Sequence, residues 1–421
     1  MKKTFRLLIG LVLLLGIIYT LFGCAKEIKS EELTKKITTQ KVLERPVDEN
    51  FANSHIKFTL DIFKESVKSS QDKNMLVSPL SILLALAMTA NGADAKTKAE
   101  MENVLGGGLT IEELNEYLHT YVNSLPSGNK YKLEIANSIW YRNTGIDVNK
   151  DFLQTNANYY NAEMYKSKFD QTTVDDMNTW VDKNTDGMIK KIIDDIGPLD
   201  VMFLMNAIVF DSEWEVPFVP DRVKDGIFNS IKGEAQPATM MSSNESIYIK
   251  DGSAQGFIRP YKDNKYSFAA LLPNEGVNIY DYVNSLTIES LTNTLNNQMK
   301  EKVVATTPKF TYEYDIMLNN ILINLGMADA FNPGAADFSK MGSSSYGNIY
   351  IGSVLHKTFI SLDEKGTKAA AVTKVGMVGT SYQKEIYINL NRPFVYMILD
   401  NQTNLPIFIG VLVEVWKGNL S

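Results

Sequence analysis

The chain has 421 residues, 44 % hydrophobic and 22 % charged, which are ordinary globular values. Its net charge is −7 and its pI about 5.3. No cluster of Lys and Arg interleaves with aromatic residues, so nucleic-acid binding has no support.

Lys2, Lys3 and Arg6 precede an apolar run from Leu7 to Phe22. The run is short against the roughly 20 residues of a membrane span, and it has the positive-then-apolar layout of a secretory signal. It ends Leu21-Phe22-Gly23-Cys24, and Cys24 is the only cysteine. This segment resembles a bacterial lipoprotein signal, which implies removal of residues 1–23 and a lipid on Cys24. An uncleaved N-terminal anchor is the alternative. Both readings put the folded part at the extracellular face of a bacterial cell membrane, with no disulfide. Residues 24–48 are rich in Lys, Glu and Thr with little apolar periodicity, and read as a tether.

The domain is expected over residues 49–421. Phe51 to Val67 carries apolar residues at helical spacing (Ile56, Leu60, Phe63). Ser78-Pro79 supplies a cap and a first-turn proline for a helix from Leu80 to Asn91 that is apolar nearly all round. Further helices are predicted over 95–105, 111–125, 150–160, 173–193, 286–299 and 316–325. Strands are predicted over 133–142, 201–210, 303–314, 349–362, 394–399 and 407–415, with several more between Gly226 and Pro273. Helices and strands mix without a regular βαβ alternation, so the class is α+β, in one large domain.

The common catalytic sets are missing. His55, His119 and His356 have no metal-ligand spacing, so no metal or other cofactor is expected. No cysteine remains beyond Cys24, and there is no Gly-x-Ser-x-Gly elbow or phosphate-binding glycine loop. Ser-x-x-Lys occurs at Ser70–Lys73 and Ser127–Lys130, without the motifs that accompany it in penicillin-binding enzymes. The chain does not read as an enzyme.

One segment stands apart. From Thr367, alternate residues read Thr367, Ala369, Ala371, Thr373, and the set between reads Lys368, Ala370, Val372, Lys374. Both lysines fall on one side, as in a strand with one dry and one wet face. Yet Gly376, Gly379 and the Gly-Thr-Ser that follows suit an exposed loop. A short alanine-rich helix and a plain solvated loop are the other readings.

Motifs in order along the chain resemble the serpin family of protease inhibitors from about Asn50 to Gly418. They are Val77-Ser78-Pro79-Leu80-Ser81-Ile82, Asn206 with Phe210-Asp211-Ser212-Glu213-Trp214-Glu215-Val216-Pro217-Phe218, Leu272-Pro273-Asn274, Pro308-Lys309-Phe310, Leu325-Gly326-Met327, and Ala336-Asp337-Phe338-Ser339. His356-Lys357, Asp363-Glu364-Lys365-Gly366-Thr367, Arg392-Pro393-Phe394 and Phe408-Ile409-Gly410 close the series.

The resemblance implies a serpin-like domain with three β-sheets, eight or nine helices and an exposed reactive loop. It implies a monomeric suicide substrate: a serine protease cuts the loop, which then inserts into the central sheet with the enzyme attached. A non-inhibitory binding or chaperone-like member of the same fold is the alternative. The implied hinge is Glu364, Gly366, Thr367, Ala369, Ala370, Ala371 and Thr373. Ser78, Ser81, Asn206 and His356 would form a polar cluster beneath the sheet where it opens, and Trp214 would stand where insertion begins. Counting from Gly366 puts the scissile bond at Thr380–Ser381. Other counts give Gly379–Thr380 or a bond nearer Tyr382. Small residues there favour an elastase- or subtilisin-like target, whereas Tyr382 would favour a chymotrypsin-like and Lys384 a trypsin-like one.

Overall fold

Helices form where apolar faces follow polar caps. A computed structural model describes residues 27–367 and 385–415. Among them the helices are α1 (Glu49–Ser69), α2 (Pro79–Ala90), α3 (Ala95–Gly106), α4 (Ile111–Ser124), α5 (Lys150–Tyr160), α6 (Gln171–Asn184), α7 (Ile279–Ser285), α8 (Ile288–Asn296) and α9 (Asn319–Leu325). The Ser78 hydroxyl caps α2 by accepting from the Ser81 amide, with Pro79 in the first turn. All of α2 except Ala85 is buried, as its all-round apolar sequence requires.

The strands are β1 (Glu31–Glu32), β2 (Met75–Val77), β3 (Tyr131–Arg142), β4 (Ile146–Val148), β5 (Glu163–Ser167), β6 (Met202–Glu213), β7 (Val223–Asn229), β8 (Ala235–Lys250) and β9 (Ala254–Pro260). They continue as β10 (Tyr266–Pro273), β11 (Met299–Pro308), β12 (Phe310–Met317), β13 (Gly342–Ser344), β14 (Leu355–Leu362), β15 (Gly366–Thr367), β16 (Ile386–Asn389), β17 (Phe394–Asp400) and β18 (Pro406–Leu412). Among the described residues they build three sheets. One has seven strands in the order β1-β5-β3-β6-β15-β14-β12. A second has nine, running β16-β11-β8-β9-β10-β17-β18-β2 with β7 beside β8, and the third pairs β13 with β4.

The main core lies between the seven-stranded sheet, α2 and the nine-stranded sheet, and holds Leu83, Ile208, Phe210, Phe268 and Tyr396. A smaller core fills the other face, where Met205, Ala207 and Trp140 pack with Met177 and Trp180 of α6. Consecutive residues of β6 therefore face two different cores, which explains its nearly unbroken apolar sequence.

Four expectations need correction. Residues 303–314 form two strands in two sheets, not one. Pro308 ends β11, the Lys309 amide turns to the Thr239 carbonyl, and Phe310 starts β12 against Leu362. The strand expected over 349–362 begins only at Leu355, and the helix expected over 173–193 stops at Asn184. Apolar residues continue through both irregular stretches because they are still packed against the cores (Ile192, Ile193, Ile349, Ile351). Finally, the stretch read as a tether is seated on the domain from its first described residues. The Lys29 and Ser30 amides donate to the Asp176 carboxylate, β1 pairs with β5, and Arg45 meets Glu113 and Glu116. Backbone ladders and polar contacts carry much of this docking, and Ile28, Leu33, Ile37 and Val47 add apolar contacts with the cores at spacings that form no regular period.

Candidate functional site

The described residues of β15, Gly366 and Thr367, fix the geometry of the seven-stranded sheet. Gly366 pairs with Glu213 and Thr367 with Ser212 on one side, and Thr367 pairs with Leu362 on the other. All these pairings are antiparallel, so β6 and β14 run parallel to each other. Among the described residues, no ladder joins β6 to β14 below Thr367. A cavity of about 520 Å³ lies along their lower halves, lined by Ser81, Met205, Asn206, Val354 and His356 among others.

The upper end is a clamp on the main chain. The Trp214 amide donates to the Lys365 carbonyl at 2.8 Å, and its indole Nε1–H donates to the Asp363 carbonyl at 2.9 Å. The Phe218 amide donates to the Glu364 carbonyl at 2.9 Å. The Asp363 carboxylate accepts from the Lys365 and Gly366 amides, closing the turn. Trp214 stacks on Tyr261 with ring centres 4.4 Å apart, and the Tyr261 hydroxyl lies 2.7 Å from that of Thr367. Thr367 is 4 % exposed. Lys309 pairs with Glu364 at 2.9 Å. Burial works most strongly against the Glu364 charge, but the Lys309 hydrogen bond, a backbone hydrogen bond and the nearby Lys309 and Lys365 charges together outweigh it and hold the pKa below the usual carboxylate value.

Gly366 has no room for a side chain. A Cβ there would lie 2.1 Å from the Ser212 carbonyl oxygen and 2.8 Å from the Glu213 Cα. Both are backbone atoms that cannot rotate away. Gly366→Ala should therefore expel β15 from the sheet while the rest of the domain stays folded. Hydrogen exchange checks this: the Thr367 amide should lose protection, and amides of β17 should keep theirs.

The lower cluster comes together as a continuous chain of polar contacts. The Ser78 hydroxyl donates to the Ile407 carbonyl, and the Ser78 amide donates to His356 Nε2 at 3.0 Å. The Ser81 hydroxyl donates to the Asn206 side-chain oxygen. Asn206 donates onward to Asn137 at 2.8 Å, and Asn137 to the Tyr160 carbonyl at 2.9 Å. The chain thus runs from β18 through α2 and β6 to β3 and α5.

Burial pushes the His356 pKa down to about 3, so the ring is neutral and its Nε2 can accept. The unfolded chain binds this proton near pH 6.5. Stability is therefore complete above about 6.5 and falls as pH drops towards 3, by at most about 1.4 kcal/mol per unit for one proton. His55, also buried, titrates in the same direction. His356→Asn should flatten the dependence of the urea midpoint between pH 7 and 5, and His55 should account for what remains.

Of the residues expected to matter, Ser78, Ser81, Asn206 and His356 meet in one cluster, and Trp214, Glu364, Gly366 and Thr367 in the other. Cys24, Ala369, Ala370, Ala371, Thr373, Gly379, Thr380, Ser381 and Tyr382 lie outside the described residues. Sequence reasoning missed Asn137 and Tyr261. Asn137 is register partner to Asn206, and a polar residue inside an apolar strand was its signal. Tyr261 carried none.

Among the described residues, Gly366 and Thr367 lie between β6 and β14 at the top of the seven-stranded sheet, and no ladder joins those two strands below them. The chain belongs to the serpin (serine protease inhibitor) family, whose match spans residues 53–415. It is similar to the crystal structure of tengpin, a thermophilic serpin, in the native state, with 46 % identity and a TM-score of 0.88 over 92 % of this chain and 100 % of that one. Tengpin in the latent state gives 45 % identity and a TM-score of 0.81 over 89 % and 100 %. A leukocyte elastase inhibitor from Xenopus tropicalis is 28 % identical over 86 % of this chain and 98 % of its own. Members of this family are generally protease inhibitors rather than enzymes.

Proposed function

We propose that this protein is an irreversible trap for serine proteases. The observation that carries the reading is the pairing of Gly366 and Thr367 between β6 and β14, above a stretch with no ladder between those strands among the described residues. Extending that register by two-residue steps sets Ala369 opposite Phe210 and Ile360, Ala371 opposite Ile208 and Thr358, and Thr373 opposite Asn206 and His356. The small residues then meet bulky ones, and the threonine hydroxyl arrives at the polar cluster. Each added residue joins antiparallel ladders on both sides.

The reaction is an interrupted acyl transfer. The protease serine attacks the loop carbonyl, the peptide bond breaks, and the new amino terminus leaves with β16. The freed hinge end then feeds into the slot. Ten residues at about 3.3 Å each carry the acyl-enzyme about 33 Å down the sheet. Distorting the oxyanion hole of the enzyme alone slows deacylation about 10²–10³-fold.

Val378, Gly379 and Thr380 are small, which favours an elastase- or subtilisin-like target, and a relative named as an elastase inhibitor is consistent with that class. Incubation with elastase-, subtilisin-, chymotrypsin- and trypsin-like enzymes should yield a complex stable in denaturant with one of the first two. The mass of the released C-terminal peptide distinguishes cuts after Gly379, Thr380, Ser381 and Tyr382. Cleavage without a complex would leave a non-inhibitory member of the fold. We also propose a lipid anchor on Cys24 at the extracellular face of the membrane. Labelling with a fatty-acid analogue should be lost in Cys24→Ala, and retained label would sink it.

A further inference from the structure

Arg259, the residue before Pro260 in β9, is 5 % exposed. Its guanidinium lies over the Phe218 ring at 4.0 Å from the ring centre and over the Trp214 ring at 4.8 Å. Nη1 donates to the Glu245 carboxylate, itself buried, and Nη2 donates to the Val216 carbonyl. Among the described residues, Nε has no partner.

As a source of stability this is a poor arrangement. Two charges leave water, one donor stays unsatisfied, and an apolar residue of similar length would pack as well. As a positioning device it is well placed. Trp214 and Phe218 supply the two amides that hold the Lys365 and Glu364 carbonyls, and Val216 sits midway in the turn between them. One planar group touches all three. Lysine, a point charge on a flexible stem, cannot cover both rings and reach both acceptors at once.

We propose that Arg259, oriented by Glu245, is the positioning residue of the hinge clamp. It fixes the 214–218 turn so that the main chain at Asp363–Gly366 is captured in one register and insertion starts from there. The consequence for trapping rests on the insertion reading, but the positioning itself is measurable without any protease.

The test is amide exchange on the intact protein, comparing wild type with Arg259→Met, Arg259→Lys and Glu245→Gln. Exchange of the Trp214 and Phe218 amides should quicken about tenfold or more in both Arg259 variants, with β17 amides unchanged. Glu245→Gln should fall between, because it keeps the acceptor and loses the charge. Where the wild type traps protease, the trapped fraction should drop several-fold in Arg259→Met, with lysine failing to rescue it. Unchanged exchange at Trp214 and Phe218 in the Arg259 variants overturns the proposal, as does an equal rise across the sheet, which would mean general destabilisation. If Arg259→Met does not fold, Arg259→Lys decides by the same criterion. A wild type that traps nothing would remove the proposed function and leave the exchange result standing.

Discussion

Thr367→Arg should convert the protein from a trap into a substrate. Thr367 is buried, with its hydroxyl on that of Tyr261 and its main chain between β6 and β14. An arginine in that place would put an unpaired charge against Tyr261, which itself packs on Phe210 and Trp214, at a cost of several kcal/mol. In the intact chain an arginine can swing out of the sheet together with Gly366, but a strand inserted beyond this residue cannot leave it out, so the cost falls on every inserted state. The protease would still find and cut the loop, which lies further along the chain. With insertion slowed, deacylation runs to completion and active enzyme is released. Denaturing gels should show cleaved chain and little complex, with at least about tenfold more inhibitor needed per enzyme, because each 1.4 kcal/mol is a factor of ten in the competing rates. Full complex at the wild-type ratio would mean that insertion does not begin at Thr367. Thr367→Ser is the control: it keeps the hydroxyl and the size class, and should trap normally.

The sequence spoke clearly where structure follows apolar spacing. α2 was readable from Ser78-Pro79 and the apolar run behind it, and β6 from an apolar run that serves two cores. The same signal misled where apolar residues pack without forming an element, as at Ile192, Ile193 and Ile349. It was silent where contacts are made by the main chain. The grip on Asp363, Glu364 and Lys365 comes from the amides of Trp214 and Phe218 and one indole N–H, so only the indole belongs to a residue type. Glu364, Gly366 and Thr367 were found through the order of family motifs. For Gly366 the physical reason appears only with a partner strand in place: the Ser212 carbonyl occupies the space of a side chain. Arg259 and Glu245 are 14 positions apart with nothing in the sequence to couple them.

The register also says how deep insertion can run before something else must move. One step past Thr373, Lys374 falls opposite Met205, on the face where Met177 and Trp180 of α6 pack. A lysine cannot enter that contact dry. On the proposed insertion reading, residues past Thr373 would enter only if α6 or the irregular stretch after it lifted. Asp194 and Asp195 line the cavity at that level and offer the ammonium a counter-charge.

Cutting the loop should make the protein harder to melt. In the intact form β6 and β14 run parallel with two residues of β15 between them. Ten further residues entering the slot each add main-chain hydrogen bonds worth on the order of 1 kcal/mol net, so about 10 kcal/mol in total before apolar burial is counted. For a chain of this length the entropy of melting is on the order of 0.8 kcal/mol per degree, so this gain raises Tm by about ten degrees or more. On the proposed reading the intact form would be the less stable state, kept by a barrier. The measurement is calorimetry on intact protein and on protein nicked within residues 378–384, with the cut confirmed by mass. Nicked Thr367→Arg should melt like the intact protein, because its slot stays empty. A nicked wild type that melts no higher than the intact chain would mean that the slot between β6 and β14 does not take up the hinge, and the trap would lose its source of work.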